Sequence, residues 1–279
     1  MERWGQCHWS TQDPAGRIAR IKAFKFRPDY RQHSPLSKSN DPPPRINRFL
    51  ADCGLGSRRS CEAIVNQGRV LVNGQPCLSL STRILEHDQV TVDGRNLKRQ
   101  NDEVNILLYK PVGYLCSRND PEGRPTIFEL LPPHLQKRRS IHYAGRLDYN
   151  SEGLILLTNS GEITQQLSHP SGKVEKEYVV SLSKPFREEH AQLLTDGLDI
   201  PSGFAKAAAV EKVTKRSIAI VLEQGLKRQI RYMLDALNYK VTRLVRVRIG
   251  NLTDHSLKPG NWRFIGRRDL SSIFNKTKH

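Results

Sequence analysis

In the segment Tyr143-Ala144-Gly145-Arg146-Leu147-Asp148 a carboxylate follows a glycine and a guanidinium, and the apolar run Gly153-Leu154-Ile155-Leu156-Leu157-Thr158 begins shortly after it. A turn that carries a carboxylate into a buried strand can fix the backbone while the oxygens face a cleft. That arrangement suits attack on a sugar carbon or abstraction of a proton. A turn aspartate is also a common structural hydrogen-bond acceptor, so spacing alone leaves both readings open. Several other chemistries have no footing: the chain has no G-x-S-x-G elbow, Walker loop, dinucleotide glycine fingerprint or H-E-x-x-H. Cys7, Cys53, Cys61, Cys77 and Cys116 form no C-x-x-C pair and have no His at zinc-ligand spacing, so no metal and a reducing cytoplasm are expected.

The elements that must position this turn belong to a basic chain. Among 279 residues, 45 Lys and Arg face 28 Asp and Glu, a net charge of +17. Such a field attracts polyanions, and nucleic acid is the first partner to consider. Ribosomal proteins and binders of acidic membranes share this charge, so it does not separate an enzyme from a binder. No apolar run approaches the roughly 20 residues a bilayer requires, and the amino terminus lacks the apolar core of a secretory signal. A soluble protein of the cytoplasm, with no membrane partner, is expected.

Residues 1–44 mix Trp, His and Gly without helical or strand period and end in Pro42-Pro43-Pro44, which predicts a poorly ordered basic extension. Arg17 to Arg27 is basic and acid-free, as in an organelle transit peptide, but Asp13, Asp29 and the prolines break that pattern, and a misplaced start codon explains the extension at least as well. From Arg45 the character changes. Ile46, Phe49 and Leu50 recur at helical spacing, Gly54 can end that helix, and Ser57 can cap a second one that runs to Gln67 and stops at Gly68. Arg69-Val70-Leu71-Val72 then alternates as a strand into the turn pair Asn73-Gly74, completing a helix-helix-hairpin unit over 45–98. Arg58 and Arg59 fall at the amino end of the second helix, where free N–H groups already favour a phosphate.

A polar linker, 98–103, precedes Ile106-Leu107-Leu108-Tyr109, a buried strand that opens a second domain spanning 104–268. Further strands are expected at 155–158, 177–182, 217–223 and 242–249, with helices near 162–167, 188–194 and 227–237. Elements in this unalternating order predict an α+β fold rather than a doubly wound one, and residues 269–279 read as a basic tail. Arg243, Arg246 and Arg248, interleaved with Val245, Val247 and Ile249, suggest a strand with one basic face that tracks a nucleic-acid backbone.

Two stretches resemble known families. Arg45-Ile46-Asn47-Arg48-Phe49-Leu50, Gly56-Ser57-Arg58-Arg59 and Gly68-Arg69-Val70-Leu71-Val72-Asn73-Gly74 look like the S4 RNA-binding domain, which implies RNA contacts through Arg45, Arg48, Ser57, Arg58 and Arg59. Gly145-Arg146-Leu147-Asp148, Glu152-Gly153-Leu154 and Leu157-Thr158-Asn159 resemble the signature of the ribosomal branch of RNA pseudouridine synthases. Tyr109-Lys110-Pro111-Val112-Gly113 before it, and Glu175-Lys176-Glu177-Tyr178 and Gly225-Leu226-Lys227-Arg228-Gln229-Ile230-Arg231 after it, stand in that family's order.

The resemblance implies a mixed, mainly antiparallel sheet with a central cleft. The reaction it implies breaks the uracil N1–C1′ bond, rotates the base and joins C5 to C1′ without cofactor or metal. Asp148 would be the essential carboxylate, by covalent attack or by deprotonation of the sugar. Arg231 would pair with it and keep it ionised. The Tyr178 ring would stack on uracil, and its hydroxyl would help remove the C5 proton. Arg146 would fill the space left by a flipped uridine, with Arg228 and Gln229 either contacting RNA phosphate or supporting the site from behind.

The run from Arg118 to Thr126 and His169-Pro170-Ser171 look most like enzymes acting on large-subunit ribosomal RNA, so that RNA or a ribosomal precursor is the expected partner of a monomer. Small-subunit RNA and transfer RNA are the alternatives. Tyr232 stands where many relatives carry a second Arg. A rival from another class is a non-catalytic ribosome-assembly factor, though such a binder has no obvious use for Asp148, Tyr178 and Arg231 together. A two-carboxylate sugar hydrolase would need an acid such as Glu152.

Overall fold

The computed structural model describes residues 42–99, 102–168, 172 and 174–275. The expected extension over 1–44 falls almost wholly outside these, as does His169-Pro170-Ser171.

In the amino-terminal unit α1 (Ile46–Asp52) and α2 (Arg58–Asn66) pack on a four-stranded sheet in the order β2-β1-β3-β4, made of β1 (Val70–Val72), β2 (Gln75–Pro76), β3 (Val90–Val92) and β4 (Arg95–Asn96). The caps are those the sequence dictates. Ser57 accepts the Ser60 N–H at 3.1 Å to start α2. Asn73 and Gly74 both take positive φ, 51° and 78°, as the tight turn between β1 and β2 requires. Ile46, Leu50, Cys61, Val65, Val70 and Val90 close a small core.

The second unit is built on one nine-stranded sheet. Its strands are β5 (Asn105–Lys110), β6 (His142–Ala144), β7 (Glu152–Thr158), β8 (Lys176–Leu182), β11 (Ala209–Thr214), β12 (Ser217–Leu222), β13 (Val241–Ile249), β14 (Leu252–Thr253) and β15 (Trp262–Phe264). The main order is β11-β12-β8-β13-β7-β5-β15, with β14 on β13 and β6 on β7. Only the β13–β7 pairing is parallel, so the mixed, mainly antiparallel α+β fold is the observed one. A separate hairpin joins β9 (Leu198–Ile200) to β10 (Gly203–Ala205).

Helices cover both faces of this sheet. On one, α5 (Glu189–Asp196) and α6 (Gln229–Ala236) pack on Tyr178, Val180, Ile218 and Leu244, while a 3-10 turn (Ile127–Leu130) and α3 (Pro133–Gln136) pack on Ile106, Leu108 and Ile155. On the other, α4 (Gly161–Ser168) and α7 (Arg267–Phe274) cover Leu107, Leu154, Leu156 and Ile249. The expected tail from 269 is therefore folded as far as Phe274: Ile273 is buried in this core, and α7 closes the domain. Residues 276–279 lie outside the described residues.

Candidate active site

The register of the central strands decides what stands beneath Asp148. Lys110 on β5 lies opposite Gly153 on β7, Gly153 opposite Arg246 on β13, and Arg246 opposite Tyr178 on β8. Residues paired across strands share a face, so Lys110, Arg246 and Tyr178 form one row. Gly153 makes the row possible. Its φ is +111°, and a Cβ there would stand 2.2 Å from the Arg246 carbonyl oxygen, so only glycine admits this close parallel pairing.

Asp148 sits in the turn that enters β7, and the backbone is held on both sides of it. Cys116 brackets Leu147 on the near side: the Leu147 N–H donates to Sγ at 3.4 Å, and Sγ–H donates to the Leu147 carbonyl at 3.3 Å. On the far side the Lys110 ammonium donates to the carbonyls of Pro111, Tyr149 and Ser151 at 3.0, 3.3 and 2.7 Å. The Tyr149 carbonyl also accepts the Gly113 N–H at 3.0 Å, and Asn150 is held by Arg231, whose Nη2 donates to its carbonyl at 2.8 Å. The Asp148 carboxylate itself makes no hydrogen bond and no ion pair within 4 Å among the described residues, and it is not sealed from solvent. A clamped backbone thus presents an open carboxylate.

The surrounding charge is positive. Burial pushes the Lys110 ammonium down to about 8 from its ordinary 10.5, offset in part by Cys116, Asp148 and Glu152 and reinforced by Arg246. Desolvation pushes Lys176, half-buried and near Arg246, down to about 8 as well. Burial lowers Arg231 too, with Arg228 adding to this and Asp148 opposing it. The Asp148 carboxylate thus lies close to several partly desolvated cations.

The expected site residues meet different fates. Arg231 reaches the Asp148 turn, but the direct pair is not formed: its guanidinium holds the Asn150 carbonyl two residues on and feels Asp148 only through space. Tyr178 is 9% exposed, and its hydroxyl bonds no described residue and is not sealed from solvent, which leaves it free for a ligand. Arg146 is exposed beside the turn. Arg228 caps α6 in the left-handed region (φ 53°), its guanidinium 5.8 Å from the centre of the Tyr232 ring. Gln229 is placed to support the site from behind rather than to meet RNA phosphate. It is 3% exposed; its oxygen accepts the Leu226 N–H, and its nitrogen donates to the Lys206 carbonyl and Gln224, so it ties the 224–229 loop to the domain.

The expected basic face of β13 is likewise not free. Arg243 engages both oxygens of Glu152, Arg248 bonds Glu175 and Glu177, and Arg246 is 2% exposed with Nε donating to the Leu154 carbonyl. Register shifts at 241/243 and 246/248 break the alternation that the sequence pattern assumed. Glu152, the acid a sugar hydrolase would need, is committed to Arg243. In the amino-terminal unit Arg45, Ser57, Arg58 and Arg59 are exposed and Arg48 half-buried, as a contact surface requires.

A cavity of about 310 Å³ opens beside the Asp148 turn, lined by Val112, Asn150, Glu152, Arg231 and residues 241–244. A far larger cavity lies elsewhere, between the two units. Lys110 is the functional residue that sequence reasoning passed over. It stood within the quoted Tyr109-to-Gly113 motif, and a lysine ending an otherwise apolar strand was the available signal.

A small helix-hairpin module is thus joined to a mixed-sheet domain that clamps one open aspartate among cations. The sequence pattern of the S4 domain matches residues 44–90, and that of the RNA pseudouridylate synthase family matches 104–236. An uncharacterized RNA pseudouridine synthase of Aquifex aeolicus is 35% identical over 236 residues, covering 82% of this chain and 93% of its own. A ribosomal large subunit pseudouridine synthase B of Yersinia pestis is 36% identical over 230 residues, covering 78% and 71%. A crystal structure of a pseudouridylate synthase superposes with a TM-score of 0.61 at 28% identity, covering 82% of this chain and 99% of its own. The chain belongs to the RNA pseudouridine synthase family, the isomerases that turn uridine in RNA into pseudouridine.

Proposed function

We propose that this protein converts one uridine of large-subunit ribosomal RNA to pseudouridine, with Asp148 as the essential carboxylate. The observation that carries the reading is the clamp: Cys116, Lys110, Gly113 and Arg231 fix the backbone on both sides of Asp148 while its oxygens stay unpartnered. Preorganisation of this kind places a reacting group before substrate arrives. The RNA assignment follows relatives named for the large ribosomal subunit.

In this reading Arg146 occupies the stack vacated by the flipped uridine, and Tyr178 stacks on the base. Asp148 acts by attack, forming an ester to C1′ that breaks when C5 bonds there, or by taking the C2′ proton and returning it at that step; the N1–C1′ bond breaks, and the base turns. C5 then bonds to C1′, the C5 proton leaves with the Tyr178 hydroxyl as acceptor or relay, and N1 gains a proton. Substrate and product are isomers, so the balance requires no oxidant, group donor or cofactor. Lys110, Arg246, Lys176 and Arg231 surround the reaction with positive charge where the departing uracil becomes electron-rich. Arg228 contacts phosphate, and Arg45, Arg48, Ser57, Arg58 and Arg59 hold RNA on the amino-terminal unit. The protein acts as a monomer in the cytoplasm; among the described residues no helix is long and apolar enough to cross a membrane.

The test incubates the protein and its Asp148→Asn variant with unmodified ribosomal RNA and with precursor subunits, and maps pseudouridine nucleotide by nucleotide. Aspartate-dependent conversion at one large-subunit position is expected. Tight binding without conversion in either substrate would favour an assembly factor instead.

A further inference from the structure

A cavity of about 1430 Å³ lies not at Asp148 but between the two units. It lies at the far end of β7, whose seven residues put it about 20 Å from the Asp148 turn at the usual strand rise. Its two walls come from different domains, and both are cationic.

On the amino-terminal wall stand Arg48 and Arg58. Their Nη2 atoms lie 3.6 and 3.9 Å from where a Cβ on Gly161 would be. Gly161 is the first residue of α4, and the amino end of a helix carries positive partial charge and free N–H groups. The amino end of α2, at Ser57 and Arg58, opens into the same space. Two guanidiniums and two helix amino termini therefore converge without an anion strong enough to explain it.

The acids in the cleft do not supply that anion. Asp52 is shared between Arg99 at 3.3 Å and Arg48 at 4.0 Å, Glu129 is spent on the Thr126 backbone, and Glu162 makes no ion pair within 4 Å. Among the described residues Arg58 has no ion pair within 4 Å, and Asp52 acts on it only through space.

The catalytic-domain wall adds Lys137 and Arg139, both exposed and without an ion pair among the described residues, and Arg118. Arg118 is held against the Phe128 ring at 3.7 Å and by the Gln136 and Arg138 carbonyls, and its Nε is buried without a partner. No carboxylate neutralises it. Such mutual repulsion is tolerable in a free protein open to water and salt, and it becomes attraction when a polyanion enters.

We propose that this interdomain cleft is a second RNA-backbone site, in which a run of phosphates outside the target nucleotide lies between Arg48 and Arg58 on one wall and the α4 amino end, Lys137 and Arg139 on the other. The proposal rests on RNA being the substrate. A cavity of this volume suits an extended strand rather than a single ion, and the enzyme's own polyanion is the partner its charge fits. By gripping RNA from both domains at once, the cleft sets the position of a flanking segment about 20 Å from Asp148 and so contributes to the choice of uridine.

The test measures the affinity of full-length protein for an unmodified large-subunit RNA transcript between 50 and 300 mM salt. In Lys137→Ala/Arg139→Ala two phosphate contacts go, so Kd at 0.15 M should rise roughly tenfold to thirtyfold and the log–log salt slope should fall by about 2. Arg58→Ala should lower the slope by about 1, and Gln165→Glu, an added charge on the exposed cleft side of α4, should weaken binding without removing a cation. Lys215→Ala, the same charge removed from the β11–β12 turn, should change Kd less than twofold. The proposal is overturned if Lys137→Ala/Arg139→Ala binds like Lys215→Ala while Arg58→Ala weakens, because the amino-terminal unit then binds alone. It is also overturned if all cleft variants bind RNA normally, which would leave the cleft to an acidic protein partner. Failure of the wild type to bind or convert any RNA would instead defeat the functional reading itself.

Discussion

Lys110→Met tests whether the clamp under Asp148, rather than the carboxylate alone, makes the site. The wild-type ammonium is fully buried and hydrogen-bonds three carbonyls. Burial lowers it to about 8 from 10.5, which disfavours its charged form by about 3 kcal/mol. Removing the charge recovers that cost. Against this, the Pro111 and Ser151 carbonyls lose the Lys110 ammonium at roughly 1–3 kcal/mol each, while Tyr149 keeps the Gly113 N–H. The two effects nearly cancel, leaving a net destabilisation of about 0–3 kcal/mol, or at most about 10 °C in Tm for a domain of this size. Turnover has no such compensation. Residues 149–151 are released, and displacement of a reacting group by about 1 Å can cost on the order of 100-fold. Because Lys110 is out of reach of RNA, Kd should stay within about threefold. The assay is single-turnover pseudouridine formation beside a binding titration and thermal melting. A folded Lys110→Met protein with a rate within threefold of wild type would refute the clamp argument.

Stability should rise with alkalinity in the wild type: between pH 8 and 10.5 the unfolded chain still binds protons that buried Lys110 and half-buried Lys176 have released, whereas below pH 8 both states are charged and the penalty is constant. Urea midpoints at pH 7.5 and 10 check this, and Lys110→Met should lose its share of the rise. Gly153→Ala should destabilise by more than about 3 kcal/mol or fail to fold, since both φ and the approach of Arg246 exclude a side chain; a soluble variant with wild-type Tm would contradict the register. Gln229→Leu should cost about 2–3 kcal/mol in urea denaturation, by leaving the Leu226 N–H and Lys206 carbonyl unpaired, yet keep the salt dependence of RNA binding unchanged. Arg231→Ala should reduce turnover tenfold or more with RNA affinity within threefold, and equal losses in both would show it to be a phosphate contact instead.

What the sequence determined by itself was local or carried by motif. Caps and turns such as Ser57, Gly68 and Asn73-Gly74 act through their own few residues, so the helix-hairpin unit could be read directly. The apolar runs that became β5, β7, β8, β12 and β13 were visible because their burial is continuous or alternating. Asp148 and Tyr178 were legible through the order of motifs. Other elements gave no such signal: β11 is almost wholly exposed and polar, β6 and β15 have three residues each, and α7 looked like a charged tail because only Ile273 is buried. Charged residues were the hardest to place, because a sequence records the charge and not its partner. Arg243 and Arg248 read as RNA contacts until the fold brought Glu152, Glu175 and Glu177 against them, and Gln229 read as either a phosphate contact or a support until it proved buried. Lys110 is the clearest case. Its three carbonyl partners include two that lie about forty residues away in the chain, and only the antiparallel register of β5 on β7 sets its ammonium under the turn that carries Asp148.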